Sequence, residues 1–99
     1  MSATLAKLTD AEIAQKLMTL KGWQLDGNAI AKEFTLGGFT EATQFIAKLA
    51  VPANAMDHHP DVLLHRYKRV KIMLTTHSAG GLTQNDFDLA AKIDALAAA

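Results

Sequence analysis

The sequence contains no cysteine and only two prolines among its 99 residues. The absence of cysteine excludes a disulfide framework, a zinc–thiolate site and thiol catalysis. No apolar run approaches the roughly 18 residues that cross a bilayer, so the sequence predicts no membrane association. Residues 1–7 also lack the long apolar stretch of a signal peptide, and we therefore expect a cytoplasmic protein.

The chain has no excess charge of either sign. Ten Lys and Arg balance ten Asp and Glu, which gives a net charge of zero with neutral histidine. A global basic field for nucleic acid is therefore absent. The one basic cluster lies at 66–71, where four cations surround Tyr67. Such a cluster is more typical of a solvated hairpin, whose charges prevent edge aggregation, than of a single-stranded nucleic-acid site.

Hydrophobic patterning predicts a single domain over 1–99, because the apolar fraction of 49% is enough for one core. A capping box at Thr9–Glu12 begins the first helix, and Asp26-Gly27-Asn28 supplies the turn of a β-hairpin. Apolar residues at helical spacing predict a second helix, capped at Thr40 and kinked or shortened at Pro52.

A second hairpin and a last helix complete the pattern. Alternation predicts strands at 62–64 and from Val70 to near Thr76-His77. Thr83–Asp86 has the spacing of a helix cap, with Leu82 and Phe87 as a hydrophobic staple. The predicted order is α-β-β-α-β-β-α. We therefore expect an α+β fold, with a four-stranded antiparallel sheet and helices packed on one face.

Three of the four histidines lie at the ends of predicted elements. His58 and His59 follow the second helix, and His77 follows the last strand; side chains at such positions can converge on a pocket. Imidazole is well suited to acid–base chemistry near neutral pH, and a carboxylate such as Asp57 or Asp86 can fix its tautomer. From spacing alone, His58 and His59 as plain surface residues remain an equal alternative.

A metal site is the rival use of the same residues. Three histidines and a carboxylate would satisfy zinc or iron by number. Consecutive residues of an extended chain point to opposite sides, however, and the sequence has no His-x-His or His-x-x-x-His pair. The spacing therefore favours separate roles for His58 and His59, with no bound metal.

The segment from Asp57 to Asp86 resembles the signature of the pterin-4a-carbinolamine dehydratases. The matching residues are Asp57-His58-His59-Pro60, Tyr67, Thr75-Thr76-His77, Gly81-Leu82-Thr83 and Asp86. Six residues separate Pro60 from Tyr67, nine separate Tyr67 from His77, and eight separate His77 from Asp86. The motif is specific because it joins three histidines in two distant segments, and the whole chain fits the family in length and element order.

The resemblance implies a hydro-lyase that dehydrates 4a-hydroxytetrahydropterin to quinonoid dihydropterin in tetrahydrobiopterin recycling, without a metal or organic cofactor. It also implies a homodimer or homotetramer. Mammalian members bind a homeodomain transcription factor as well, so a non-catalytic dimerisation or protein-interaction module on the same fold is the alternative function. Pterin binding in another pathway, with dehydration incidental, is a further alternative.

The resemblance assigns the catalytic roles to His58, His59 and His77. We expect His58 and His77 to exchange protons with the substrate and His59 to hold the pterin, while Asp57 and Asp86 orient the imidazoles. The residues expected to contact the substrate, partly through backbone groups, are Asp57, His58, His59, Thr75, Thr76, His77 and Ser78.

Two positions depart from the family pattern. Asn54 stands where many relatives have glutamate, four residues before His58, which removes a carboxylate. Val62 stands where mammalian members have an aromatic residue, so we expect no stacking on the pterin at that point.

Overall fold

The computed structural model describes residues 6–98, which form three α-helices, one short 3₁₀ helix and a four-stranded antiparallel sheet. The helices are α1 (Asp10–Leu17), α2 (Phe39–Met56) and α3 (Gln84–Ala98). The strands are β1 (Gln24–Asp26), β2 (Ala29–Thr35), β3 (Asp61–His65) and β4 (Arg69–Leu74). The order α-β-β-α-β-β-α and the α+β class are those predicted from the sequence. None of the described helices is long and apolar enough to cross a membrane.

The sheet has the order β1-β2-β4-β3, so the two hairpins lie side by side with β2 and β4 in the centre. Along β4, Val70, Ile72 and Leu74 are fully buried, whereas Lys71 and Met73 are partly exposed. This alternation assigns one face of the sheet to the core, as the pattern of apolar residues predicts. The opposite face, which carries Lys71 and Met73, is called the open face below.

The helices cover the buried face of the sheet. Phe45 and Leu49 of α2 and Leu89 and Ile93 of α3 belong to the same core cluster as the buried side chains of β4. Phe34 of β2 extends this cluster, because its ring lies 5.1 Å from the ring of Phe45, measured between centroids. The core therefore lies in a single layer between the sheet and the helices.

The helix ends confirm some sequence predictions and correct others. The capping box of α1 is present: Glu12 N donates to Thr9 Oγ1, and Thr9 N donates to Glu12 Oε1. The hydrogen bonds from Thr9 lower the pKa of the Glu12 carboxyl below its ordinary value. The prediction of a cap at Thr40 is wrong, because α2 already begins at Phe39 and Gly38 is its N-cap.

Pro52 does not shorten α2, which continues to Met56. A proline inside a helix removes one backbone donor and typically costs about 3 kcal/mol. The flanking residues Leu49 and Ala53 are both buried in the described structure. The apolar area that this last part of the helix buries offsets the cost of the proline, so packing overrides the local signal.

We expect Ile72→Ala to lower the free energy of unfolding by about 2–5 kcal/mol, because a fully buried side chain is removed and a cavity remains. Lys71→Ala, one residue away on the open face, should change it by less than about 0.5 kcal/mol. Urea unfolding of both variants and the wild type measures the difference. Equal losses would contradict the assignment of the two sheet faces.

Candidate active site

The two histidine segments of the sequence motif meet at one end of the sheet. His58 and His59 precede β3, and the segment 75–77 follows β4. Since these strands are antiparallel with Asp61 opposite Met73, the start of β3 lies beside the end of β4. The hairpin register therefore brings together two segments that are distant in sequence.

The end of α2 turns His58 into the protein. Asp57 adopts the left-handed conformation, with φ 49° and ψ 44°, and His58 N donates to Ala53 O at 3.0 Å. Aspartate tolerates this conformation better than most residues, and a left-handed residue is a common way to end a helix. As a result Asp57 is exposed, while His58 is buried with only 9% of its surface accessible.

Asp86 is the buried partner of His58. Nε2 of His58 lies 2.6 Å from Asp86 Oδ1. The other carboxylate oxygen, Oδ2, accepts from Thr76 Oγ1 at 2.8 Å and from Thr83 N at 2.9 Å. Asp86 has no accessible surface, so its carboxylate is satisfied entirely by these groups of the protein.

The local sequence explains why a carboxylate occupies this place. Asp86 is the third residue of α3, and Thr83 directly precedes the helix. A carboxylate at this position can accept from the backbone amide before the helix, and the helix dipole favours its negative charge. The predicted cap spacing is thus present, but Thr83 Oγ1 lies 2.8 Å from Thr76 Oγ1 instead of capping the helix.

The segment after β4 has both buried and exposed side chains. Thr76 is buried, and Thr75 Oγ1 donates to Asn28 O at 2.6 Å. Both threonine hydroxyls are therefore engaged within the protein, although we expected both residues to contact the substrate. His77 and Ser78 are exposed in a 3₁₀ helix, His77–Ala79. Hydrogen bonds between the backbones of Thr76 and Gly81 close this loop.

His59 lies on the outside, as expected for a residue adjacent to a buried histidine. Its Nε2 lies 2.9 Å from Asn54 Oδ1, so the residue that replaces the usual glutamate still orients this ring. A groove of about 180 Å³ between α2 and β3 borders His59. Its lining consists of Ile46, Leu49, Ala50, Ala53, Asn54, His59, Pro60 and Val62.

The two predicted orienting carboxylates differ in their surroundings. Asp86 contacts His58, whereas the exposed Asp57 carboxylate has no hydrogen bond to any group within residues 6–98. The same part of the chain contains no cluster of three or more His, Asp or Glu side chains suited to a metal ion. His65 lies apart from the site, at the far end of β3, where Nε2 contacts Glu33 Oε1 at 2.5 Å.

Sequence reasoning missed the part that Thr76 and Thr83 play in holding Asp86. The spacing from Thr83 to Asp86 is a usable signal for the backbone contact between them. The contact between the two hydroxyls has no such signal, because it depends on how the loop 77–80 closes.

Comparison with known proteins agrees with the motif. A family model described as Pterin 4 alpha carbinolamine dehydratase matches residues 6–96. A relative from Sulfurisphaera tokodaii is 49% identical over 90 residues, which cover 91% of this chain and 96% of its own. One from Roseiflexus is 50% identical over 88 residues, or 89% of this chain and 94% of its own. Both are provisionally named pterin-4-alpha-carbinolamine dehydratase.

Two solved structures share the fold. A protein from Brucella melitensis described as a transcriptional coactivator/pterin dehydratase has a TM-score of 0.86 and 40% identity, over 92% of this chain and 98% of that one. A pterin dehydratase-like protein described as a RuBisCO assembly factor of the alpha-carboxysome has a TM-score of 0.60 and 25% identity, covering 76% and 86%. The resemblance recognised from the residues is thereby confirmed.

Removing the buried carboxylate should be costly. We expect Asp86→Ala to lower the free energy of unfolding by about 3–5 kcal/mol, because His58, Thr76 and the amide of Thr83 all lose their acceptor. The matched control is Asp88→Ala, which removes an exposed carboxylate two residues away and should cost less than about 1 kcal/mol. Chemical denaturation measures both, and similar values for the two variants would count against a structural role for Asp86.

Proposed function

Because the chain belongs to the pterin 4 alpha carbinolamine dehydratase family, we propose that it is a hydro-lyase acting on 4a-hydroxytetrahydropterin. The products are quinonoid dihydropterin and water. The relatives' names and the family description support a dehydratase. Tetrahydrobiopterin recycling and a cytoplasmic location are predictions from the sequence, and the proposal includes no metal or organic cofactor.

The observation that carries the proposal is the hydrogen bond between His58 and the buried Asp86. A carboxylate behind an imidazole fixes the orientation of the ring and determines which of its nitrogens carries the proton. The ring can then take up a proton and return it without leaving its position. This is the property that general acid–base catalysis requires.

The reaction needs one proton removed and one supplied. A base takes the proton from N5, the electron pair of that bond forms the C4a–N5 double bond, and the C4a–oxygen bond breaks. An acid protonates the departing hydroxide to give water, so no net proton is gained or lost. We assign these two roles to His58 and His77, in the order that a given substrate epimer demands.

His59 has a different role in this proposal. Its ring is exposed, is oriented by the neutral amide of Asn54, and borders the apolar groove between α2 and β3. These features suit a residue that holds the flat pterin ring more than one that transfers a proton. Asp57 and Ser78, both exposed near the histidines, are proposed to contact the substrate, as are the backbones of Thr75 and Thr76.

The decisive experiment is a stopped-flow assay of quinonoid dihydropterin formation, because this substrate also dehydrates spontaneously. The purified protein should accelerate the reaction with the same rate in the presence and absence of a chelator. A rate equal to that in buffer alone would show that the protein is not a dehydratase. If the chelator abolished the acceleration and one added divalent metal restored it, the metal-free mechanism would be wrong.

A second candidate function is a non-catalytic interaction module. The two similar structures favour it, since one is described as a transcriptional coactivator/pterin dehydratase and the other as a RuBisCO assembly factor. A module would not need the histidines for its activity. The stopped-flow assay separates the two functions, because only the enzyme changes the rate of dehydration.

We also propose that the protein forms a homodimer through the edge of the sheet, or a homotetramer that contains this dimer. Strand β3 is an edge strand, and Val62 and Leu63 expose 37% and 48% of their surfaces. Antiparallel pairing of two copies about Leu63 would place Asp61 opposite the partner's His65, and His65 opposite the partner's Asp61. The two Leu63 side chains would then face each other across the symmetry axis, and such apolar cross-strand pairs favour this register.

The division of roles predicts different kinetics for three alanine variants. His58→Ala and His77→Ala should each lower kcat by roughly 10²-fold or less, with little change in KM, because each residue acts on the transition state and partly covers for the other. The double variant should approach the uncatalysed rate. His59→Ala should raise KM several-fold and keep most of kcat.

The control for these kinetics is His65→Ala, which alters the histidine outside the motif and should leave both constants unchanged. Initial rates over a range of substrate concentrations provide kcat and KM for every variant. The assignment fails if His59→Ala abolishes kcat while His58→Ala and His77→Ala remain near wild type.

The proposed interface predicts that Leu63→Lys is a monomer at micromolar concentration, since two lysines would meet at the symmetry axis of the paired strands. Met18→Lys makes the same change at a position that is 86% exposed and remote from β3, and it should retain the wild-type mass. Light scattering distinguishes the two. A monomeric wild type would contradict the proposed interface.

A further inference from the structure

The hydrogen bonds around Asp86 have a fixed direction. The backbone N–H of Thr83 can only donate, and it donates to Oδ2. Thr76 has one hydroxyl proton, which is also donated to Oδ2. The contact between Thr76 Oγ1 and Thr83 Oγ1 must therefore use the proton of Thr83. Both threonines thus present donors to the same carboxylate oxygen.

The opposite oxygen of Asp86 is left for His58. An ionised carboxylate can only accept, so Nε2 of His58 is the donor in the 2.6 Å contact with Oδ1. A neutral imidazole carries one proton. With that proton on Nε2, the lone pair of the ring lies on Nδ1.

Nδ1 of His58 is not completely buried. It has no hydrogen-bond partner in the described part of the chain, yet no buried side-chain nitrogen or oxygen there lacks a partner. Nδ1 therefore contributes to the 9% of the His58 surface that is accessible. The ring is therefore held through Nε2 by Asp86, whereas Nδ1 retains some accessible surface.

We propose that Nδ1 of His58 is the atom that exchanges a proton with the substrate, and that Thr76 and Thr83 are positioning residues that fix this choice. They do so by holding Asp86 from its far side, which keeps the ring in the tautomer protonated on Nε2. The identity of the substrate rests on the proposed dehydratase function. The tautomer rests on the directions of the hydrogen bonds around Asp86.

The tautomer is measured directly by the ¹⁵N chemical shifts of the His58 ring in the intact protein. Spectra are recorded as the pH is raised until the ring carries a single proton. Nε2 should then show the shift of a protonated nitrogen and Nδ1 that of a bare one. A proton on Nδ1 would overturn the proposal, whatever the activity.

Asp86→Asn tests whether the threonine donors dictate the tautomer. Because Thr76 and Thr83 both donate to the Oδ2 position, the amide oxygen must occupy it and the NH₂ group must face His58. Nε2 then has to accept, and the proton moves to Nδ1. The ¹⁵N shifts should exchange, and kcat should fall as far as in His58→Ala. Asp88→Asn, the same change at an exposed site, should alter neither.

Thr76 provides a variant that keeps the carboxylate. Thr76→Val preserves the shape of the side chain but removes one hydrogen-bond donor to Asp86. We expect kcat to fall about 10-fold at unchanged KM, the lower end of the effect of replacing a residue that orients a side chain of the site. Thr76→Ser retains the hydroxyl and should restore kcat. A serine variant as slow as the valine variant would show that the hydroxyl is not responsible and would overturn the role of Thr76.

The outcomes separate this inference from the proposed function. If the wild type accelerates dehydration but its His58 proton lies on Nδ1, the positioning role of Thr76 and Thr83 is wrong and the proposed dehydratase function is retained. If the wild type does not accelerate dehydration, both the enzyme and the proton exchange at Nδ1 are wrong. Exchanged shifts in Asp86→Asn without loss of kcat would also refute Nδ1 as the reacting atom.

Discussion

Burial of the Asp86 carboxylate is the constraint on which the arrangement of this end of the molecule depends. An ionised group without partners is very costly to bury, and removing one partner of a buried pair is itself strongly destabilising. Asp86 avoids this cost through donors from three places: His58, two residues after α2; Thr76, two residues after β4; and Thr83, directly before α3. These three chain segments must therefore meet at one point for the folded state to be stable.

This constraint also separates the histidines by environment. His58 is turned inward by the left-handed residue before it, and its neighbour His59 consequently faces outward. One ring is held by a charged acceptor and the other by the neutral amide of Asn54. Two adjacent and chemically identical side chains thereby have different surroundings, which is a common way for a protein to give similar groups distinct chemical roles.

The sequence predicts much of this structure because most of its signals are local. Alternation in β4 and the capping box at Thr9 correctly indicate elements that neighbouring residues determine. Pro52 does not end the helix early, because its cost is outweighed by core packing that no local pattern reveals. At the site, Asp86 as the partner of an imidazole is foreseen from the motif. The inward orientation of Thr76 is not, because it depends on a loop that closes on Gly81 and on a contact with Thr83.

The hydrogen bond between His58 and Asp86 joins residues 28 positions apart. Such a contact forms only after the intervening chain has been ordered, and this chain includes the whole of the β3–β4 hairpin. A fragment that stops before α3 contains every histidine of the motif but lacks the group that orients His58. Because the amides at the start of α3 adjoin Asp86, their hydrogen exchange would report how often the assembled site opens.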